Sequence, residues 1–122
     1  MRARRRHDQG QATVELALAL PLICLLLFGI VQVAVLGRDQ LAVQLAAREA
    51  ARAAAVSADV STGSAAAHRA VALRPLTVDI SENDGTVTAT VSYTDHTDVP
   101  LIGALLPDVV LTATVTMAIE PP

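Results

Sequence analysis

The chain has 122 residues and a formal net charge of −3, with 9 basic residues against 12 acidic ones. Four of the arginines lie within the first six positions, so the remainder of the chain is acidic, which argues against a nucleic-acid ligand. The single cysteine, Cys24, excludes an internal disulfide, and the near absence of aromatic residues argues against an aromatic ligand cage.

The first ten residues are predicted to form a polar, extended leader in the cytoplasm. This segment contains the basic group Arg2, Arg4, Arg5 and Arg6. Basic residues beside a membrane span favour the cytoplasmic side. We therefore expect the N-terminus to lie in the cytoplasm and the C-terminus to lie outside it.

An apolar run from Leu16 to Leu36 follows the leader. The run contains no charged residue, and Gln32 is its one clearly polar side chain. A helix of about 20 apolar residues crosses the roughly 30 Å of bilayer hydrocarbon, so the sequence predicts a transmembrane helix over residues 11–37. The expected protein crosses the cytoplasmic membrane once and carries an extracytoplasmic domain over residues 38–122.

Helix-forming residues continue beyond the apolar run. We interpret residues 12–56 as one helix, bent at Pro21 or Gly29, and two helices broken at Gly37 are the alternative. At about 100° per residue, the second half of this helix is amphipathic. Its apolar face contains Leu36, Val43, Ala47, Ala50 and Ala54, and its polar face contains Arg38, Glu49 and Arg52.

The rest of the chain predicts one short helix and three strands. Residues 57–63 are interpreted as a break, and a helix is predicted over residues 64–73 because Ser64 stands at its start and Pro75 follows its end. From residue 76 onward the apolar residues alternate with polar ones, which is typical of half-buried strands. The predicted strands cover residues 76–81, 86–93 and 109–119.

These strands are expected to form an antiparallel meander. The dipeptide Asp84-Gly85 is a strong signal for a tight turn between the first two strands. The meander would be apolar on one face, and the small-residue face of the long helix is its obvious cover. The predicted fold class is therefore α+β, with a long helix that is transmembrane in its first half and packs by its amphipathic second half on a three-stranded sheet.

An apolar segment with two prolines lies between the second and third strands. One interpretation is a loop that plugs the open end of the sheet. The other is an exposed loop that contacts a partner or the membrane surface. The candidate contact residues are Val99, Pro100, Leu101, Ile102, Leu105 and Leu106.

The N-terminal segment differs from common signal sequences. Its apolar core is longer than that of a secretory signal peptide, and Ile23 before Cys24 does not fit a lipoprotein signal. A single-pass anchor without processing is one interpretation. The other rests on Gly10, on the one carboxylate at the edge of the span, Glu15, and on the unbroken apolar helix after it, which together resemble the processing site of type IV pilin-like proteins.

The longer stretches QATVELALALPL and RDQLAVQLAAREAARAAAV are similar to the TadE-like family of the tight-adherence (Flp) pilus systems. The resemblance implies a pilin-like fold and a minor pilin or pseudopilin. A prepilin-type peptidase would cut after Gly10 and leave Gln11 as the mature N-terminus. The carboxylate of Glu15 would then pair with the new amine of a neighbouring subunit. The chain departs from the family in one respect, because Leu16 stands where an aromatic residue often follows the glutamate.

No motif in the sequence predicts an enzyme. Asp95, His96 and Asp98 are conceivable metal ligands, but a polar turn explains them and they have no companion cluster. There is no recognisable catalytic triad and no glycine-rich phosphate loop. We therefore expect no cofactor, metal or small-molecule substrate. The expected partners are the membrane, pilin-like subunits, the pilus assembly machinery and the peptidase. The alternative function is an uncleaved anchored domain that binds an envelope partner.

Overall fold

The computed structural model describes residues 2–96, 104–105 and 107–121, with side chains from residue 8 onward. The elements in chain order are α1 (Arg2–Ser57), α2 (Val60–Ala70), β1 (Leu76–Asn83), β2 (Thr86–Asp95) and β3 (Val109–Ala118). The predicted α+β class is confirmed: a long N-terminal helix that contains an apolar candidate span carries an antiparallel sheet in the order β1-β2-β3.

The helix α1 is continuous over 56 residues. The prediction of one long helix is therefore confirmed, and the alternative with a break at Gly37 is wrong. A glycine costs only about 1 kcal/mol in a helix interior, which the helix-forming residues on both sides offset. Pro21 lies inside the helix, where its missing N–H removes one backbone hydrogen bond. Membrane helices tolerate proline because neighbouring helices, side chains or local adjustment of the backbone satisfy the freed carbonyl group.

The predicted extended leader is wrong, because α1 begins at Arg2. Residues 2–9 contain neither glycine nor proline, and a helix already nucleated in the apolar run extends outward at little cost. The hydroxyl of Thr13 donates a hydrogen bond of 2.9 Å to the carbonyl oxygen of Gln9, so a side-chain bond spans Gly10 as well.

The connection between the two helices is shorter than predicted. Ala58 adopts a φ of 51°, and Asp59 caps α2 by accepting a 2.9 Å hydrogen bond from the backbone N–H of Ser61. The hydroxyl of Ser61 donates a second bond of 2.8 Å to the same carboxylate oxygen. The predicted start near Ser64 is wrong because this aspartate provides an earlier N-cap.

The end of α2 also comes earlier than the predicted residue 73. The helix ends at Ala70, and the guanidinium group of Arg74 folds back over its C-terminus. This group donates hydrogen bonds to the carbonyl oxygens of His68, Val71 and Leu73. A cation at this position satisfies the unpaired carbonyl groups and complements the helix dipole.

The three strands pair as the predicted meander. Asn83 pairs with Thr86 across Asp84 and Gly85, which have φ values of 48° and 75°. Two positive φ values are typical of a tight hairpin turn, which is why the Asp-Gly signal worked. β1 and β2 extend to Asn83 and Asp95, beyond their predicted ends, while β3 closely matches its predicted range.

The small-residue face of α1 covers the apolar face of the sheet, as predicted. Val43, Ala47, Ala50 and Ala54 are at most 2% exposed, whereas Leu36 is half-buried. Alanine side chains allow the helix to approach the strands closely. The core cluster consists of Val43, Ala46, Ala47, Ala50, Ala51, Ala67, Leu76, Ala89, Val91, Leu111 and Ala113.

Candidate functional site

The first half of α1 is exposed although it is strongly apolar. Its most apolar 18-residue window has a mean hydropathy of 2.7 and is only 6% buried. A core helix of a soluble domain would be mostly buried, and side chains such as Leu18 (76% exposed) and Leu22 (68%) are not. The helix is long and apolar enough to cross a membrane, and its exposed surface is suited to lipid.

Burial of α1 begins within the last turns of the apolar run, where Gln32 is 4% exposed, and continues into the domain. Arg38 is the first charged residue after Glu15, and its side chain is 78% exposed. The next residue, Asp39, is buried, and the two side chains form an ion pair of 3.4 Å. The amide of Gln40 donates a 3.4 Å hydrogen bond to the carbonyl oxygen of Thr112 in β3. One helix therefore joins the apolar span to the sheet without a linker.

The three residues predicted for processing and assembly lie together on the exposed N-terminal part of α1. Gly10, Gln11 and Glu15 are all exposed, and a Cβ at Gly10 would meet nothing within 4 Å. Gln11 and Glu15 are four residues apart, so they share one helix face and are separated by about 6 Å along the axis. No described side chain forms an ion pair or hydrogen bond with Glu15.

An unpaired carboxylate in this position is costly in a membrane. A charge within the span costs a few kcal/mol even where water and snorkelling reduce the penalty. The one polar side chain of the apolar run does not have this problem, because Gln32 is 4% exposed and has an interaction partner. Glu15 is thus the group on this part of α1 that gains most from a partner supplied by another molecule.

A shallow apolar groove follows one face of α1 in the span. The absence of a side chain at Gly29 opens this groove. From the sequence, Gly29 was expected only as a position where the helix bends. The helical spacing of the leucines around this glycine could have predicted it. Its lining residues are Leu22, Leu25, Leu26, Gly29, Ile30 and Val33.

Most of the predicted contact loop lies outside the described residues. This holds for Val99, Pro100, Leu101, Ile102 and Leu106, whereas Leu105 is described and is 76% exposed. The ends of the loop are joined by a polar contact of 3.0 Å between His96 Nδ1 and Asp108 Oδ2, which is an ion pair when the imidazole is protonated.

The conceivable metal ligands do not form a cluster in the described part of the chain. Asp95 is buried, whereas His96 is exposed and pairs with Asp108, and Asp98 lies outside the described residues. No group of three His, Cys, Asp or Glu side chains comes together among the residues that the structure describes.

The outer face of the sheet carries pairs of hydroxyl groups. The pairs Thr88–Thr116, Thr90–Thr114 and Ser92–Thr112 lie 3.0, 3.3 and 3.4 Å apart across β2 and β3. The alternation of polar and apolar residues predicted this face, but the pairing depends on the strand register. Such cross-strand pairs stabilise the sheet and present a polar surface to water.

The fold and the exposed helix together fit a single-pass membrane anchor with an α+β domain, in which one helix provides both the apolar candidate span and part of the core. The family model described as TadE-like protein matches residues 10–52, so this segment of the chain is similar to that family and the resemblance predicted from the sequence is confirmed. TadE-like proteins are structural and are associated with Tad pili. Comparison with curated proteins gives no match, and comparison with solved structures gives none.

Proposed function

We propose that this protein is a minor pilin or pseudopilin-like structural subunit used in the assembly of a Tad-type pilus. The observation that carries the proposal is the exposed Glu15, which lies on an exposed, apolar helix five residues after Gly10. The family match begins at Gly10 and includes this glutamate, which supports the same interpretation. In this proposal the protein catalyses no reaction itself, and its N-terminal part is the substrate of a prepilin-type peptidase.

Processing would create the partner that Glu15 needs. Cleavage after Gly10 removes residues 1–10, with their arginines, and leaves a positively charged amine on Gln11. This amine can pair with Glu15 of a neighbouring subunit, so that neither charge stays unpaired in an apolar bundle. Because the two groups lie about 6 Å apart along the helix, the pair would set the axial stagger between subunits.

The same account gives the arrangement in the cell. The arginine-rich leader would lie in the cytoplasm, residues 11–37 would cross the cytoplasmic membrane, and residues 38–122 would lie outside it. In this arrangement pilin-like subunits would contact the groove around Gly29, where a neighbouring helix can approach closely.

Replacement of Glu15 tests the proposal. Glu15→Gln keeps the shape of the side chain and removes its charge, so the variant should insert into the membrane normally but be lost from the sheared pilus fraction. Glu15→Asp keeps the charge and should retain part of the incorporation. Asp8→Asn is the matched control, because its carboxylate is removed with the leader. Normal incorporation of Glu15→Gln would contradict the proposal and favour an uncleaved anchor.

A further inference from the structure

The sheet has a defined direction relative to α1. Near its start, β3 is joined to the helix by the hydrogen bond from Gln40 to the carbonyl oxygen of Thr112. Just after its end, the backbone N–H of Glu120 donates a 3.3 Å bond to the carbonyl oxygen of Ala55. The contact points therefore advance in the same order on both elements, so β3 runs parallel to α1 and its first residues point towards the apolar span.

This direction places one end of the sheet at the membrane boundary. Val110 precedes Thr112 by two residues, or about 7 Å of strand. The same distance along α1 corresponds to four or five residues counted back from Gln40, which leads to Leu36, the last residue of the apolar run. The Asp84-Gly85 hairpin lies at the opposite end of the sheet, beside the end of β3.

The membrane-proximal end of the sheet exposes apolar side chains beside the contact between His96 and Asp108, whereas the rest of the outer face is polar. Val110 is 62% exposed and stands on the outer face of β3, where the next outward residues are Thr112, Thr114 and Thr116. Leu105 is 76% exposed, and Pro107 between them is also exposed. We name Leu105, Pro107 and Val110 the membrane-proximal patch.

We propose that the membrane-proximal patch is seated in the lipid headgroup region of the leaflet from which α1 emerges. Val110 lies at the level of the last apolar turn of α1, and Pro107 and Leu105 precede it in the segment that enters β3 from this end. The exposed apolar surface of α1 reaches nearly the same level, since Val33, about one turn before Leu36, is 69% exposed. Arg38 lies near the same level, 3.4 Å from Asp39 and with its side chain 78% exposed, and an arginine at the end of a span can extend into the headgroup region. The headgroup region, which is apolar on one side and polar on the other, accommodates the exposed apolar side chains together with Arg38 and the His96–Asp108 contact.

Such a contact gives the domain a fixed orientation on the membrane. A domain attached only through α1 can tilt as the helix tilts, whereas a second contact at the patch prevents this motion on one side. The inference rests on α1 crossing the membrane and does not require processing after Gly10. Its failure would leave the proposed pilus function untouched, and failure of that function would leave the contact with lipid in place.

The test uses the full chain with Cys24→Ala as background, in vesicles of phosphatidylcholine and phosphatidylglycerol. Leu105→Cys and Val110→Cys each receive a nitrobenzoxadiazole label. Thr114→Cys, on the same face of the same strand, is the matched control, and Asp84→Cys marks the distant hairpin. Lipids with a doxyl group near the headgroup should quench the labels at 105 and 110 several-fold more than those at 114 and 84. Dissolved iodide should quench in the opposite order.

Equal quenching by iodide at all four positions would overturn the proposal, because the patch would then be in water. That result would favour a protein partner at the same surface. Each labelled variant must keep the circular dichroism spectrum and tyrosine fluorescence of the parent, which shows that it is folded. Val110→Thr is a second variant that should not disturb the fold, because it extends the row of threonines on the outer face of β3. In a Val110→Thr background, the label at Leu105 should be less protected from iodide. Undiminished protection would contradict a joint seating of these two residues in lipid.

Discussion

Gly63 is the position where α2 approaches both α1 and β1, and its replacement by alanine gives a sharp test of the packing. A Cβ at this position would lie 2.5 Å from Ile80 Cδ1, 2.7 Å from the carbonyl oxygen of Ala50 and 3.0 Å from Ala54 Cβ. The end of the isoleucine side chain can move, but the backbone oxygen of α1 cannot. Gly63→Ala therefore has to push the two helices apart.

Two effects of opposite sign decide the outcome. Alanine is favoured over glycine in a helix interior by about 1 kcal/mol, which alone would stabilise α2. Overpacking of a closed core costs about 1–3 kcal/mol, and the backbone contact places this site near the upper end. We expect a net loss of about 1–2 kcal/mol in the free energy of unfolding.

Urea denaturation of the full chain in detergent, followed by the fluorescence of Tyr93, measures this loss. With a slope of about 1–2 kcal/mol/M for a domain of this size, the midpoint should fall by about 1 M. Ala65→Gly is the control, because this exposed residue of α2 should show the propensity effect alone. A rise in the midpoint for Gly63→Ala would refute the proposed close contact, since helix propensity would then be the larger effect.

Three further changes test other parts of the domain. Val91→Ala, at a side chain with 0% exposure, should lower the free energy of unfolding by about 2 kcal/mol through lost burial and a cavity, and an unchanged urea midpoint would contradict the assigned core. Gly85→Ala, at a φ of 75°, should cost about 1 kcal/mol, measured in the same way, whereas the turn would be wrongly assigned if the variant were as stable as the parent. Hydrogen bonds from the side chain and, to a smaller extent, the backbone of Ser61 lower the pKa of Asp59 below its usual value of 3.8. The stabilisation that this carboxylate gives to the folded state is therefore complete above pH 3.8 and is lost as the pH falls through the lowered pKa. Asp59→Asn caps α2 without titrating and should flatten the acid limb of a plot of urea midpoint against pH, and an unchanged slope would refute the assigned cap.

The sequence was sufficient for the features that depend on local pattern. The apolar run, the alternation in the strands and the Asp-Gly turn each follow from periodicity or from backbone preference, and each is confirmed. The face of alanines on α1 was also predictable, because the spacing of Val43, Ala47, Ala50 and Ala54 follows the helical period. The TadE-like segment could be recognised because its motif and its apolar helix coincide.

The sequence was less informative where one residue decides between two possible ends of an element. Asp59 caps α2 because Ala58 adopts a positive φ, and alanine gives no local signal for that conformation. The helical leader depends on propagation from the neighbouring apolar helix rather than on the leader residues themselves. The level of Val110 relative to the span depends on two contacts between β3 and α1, which no pattern in either segment predicts.

The most direct test of the proposed function is the N-terminus of the protein recovered from membranes, with the prepilin-type peptidase of the host present and then deleted. Intact mass and N-terminal sequencing should give a chain that begins at Gln11 when the peptidase is present and an intact leader when it is absent. Gly10→Leu should keep the leader in both strains. An intact leader on the unaltered chain in both strains would contradict processing and identify the protein as an uncleaved membrane anchor.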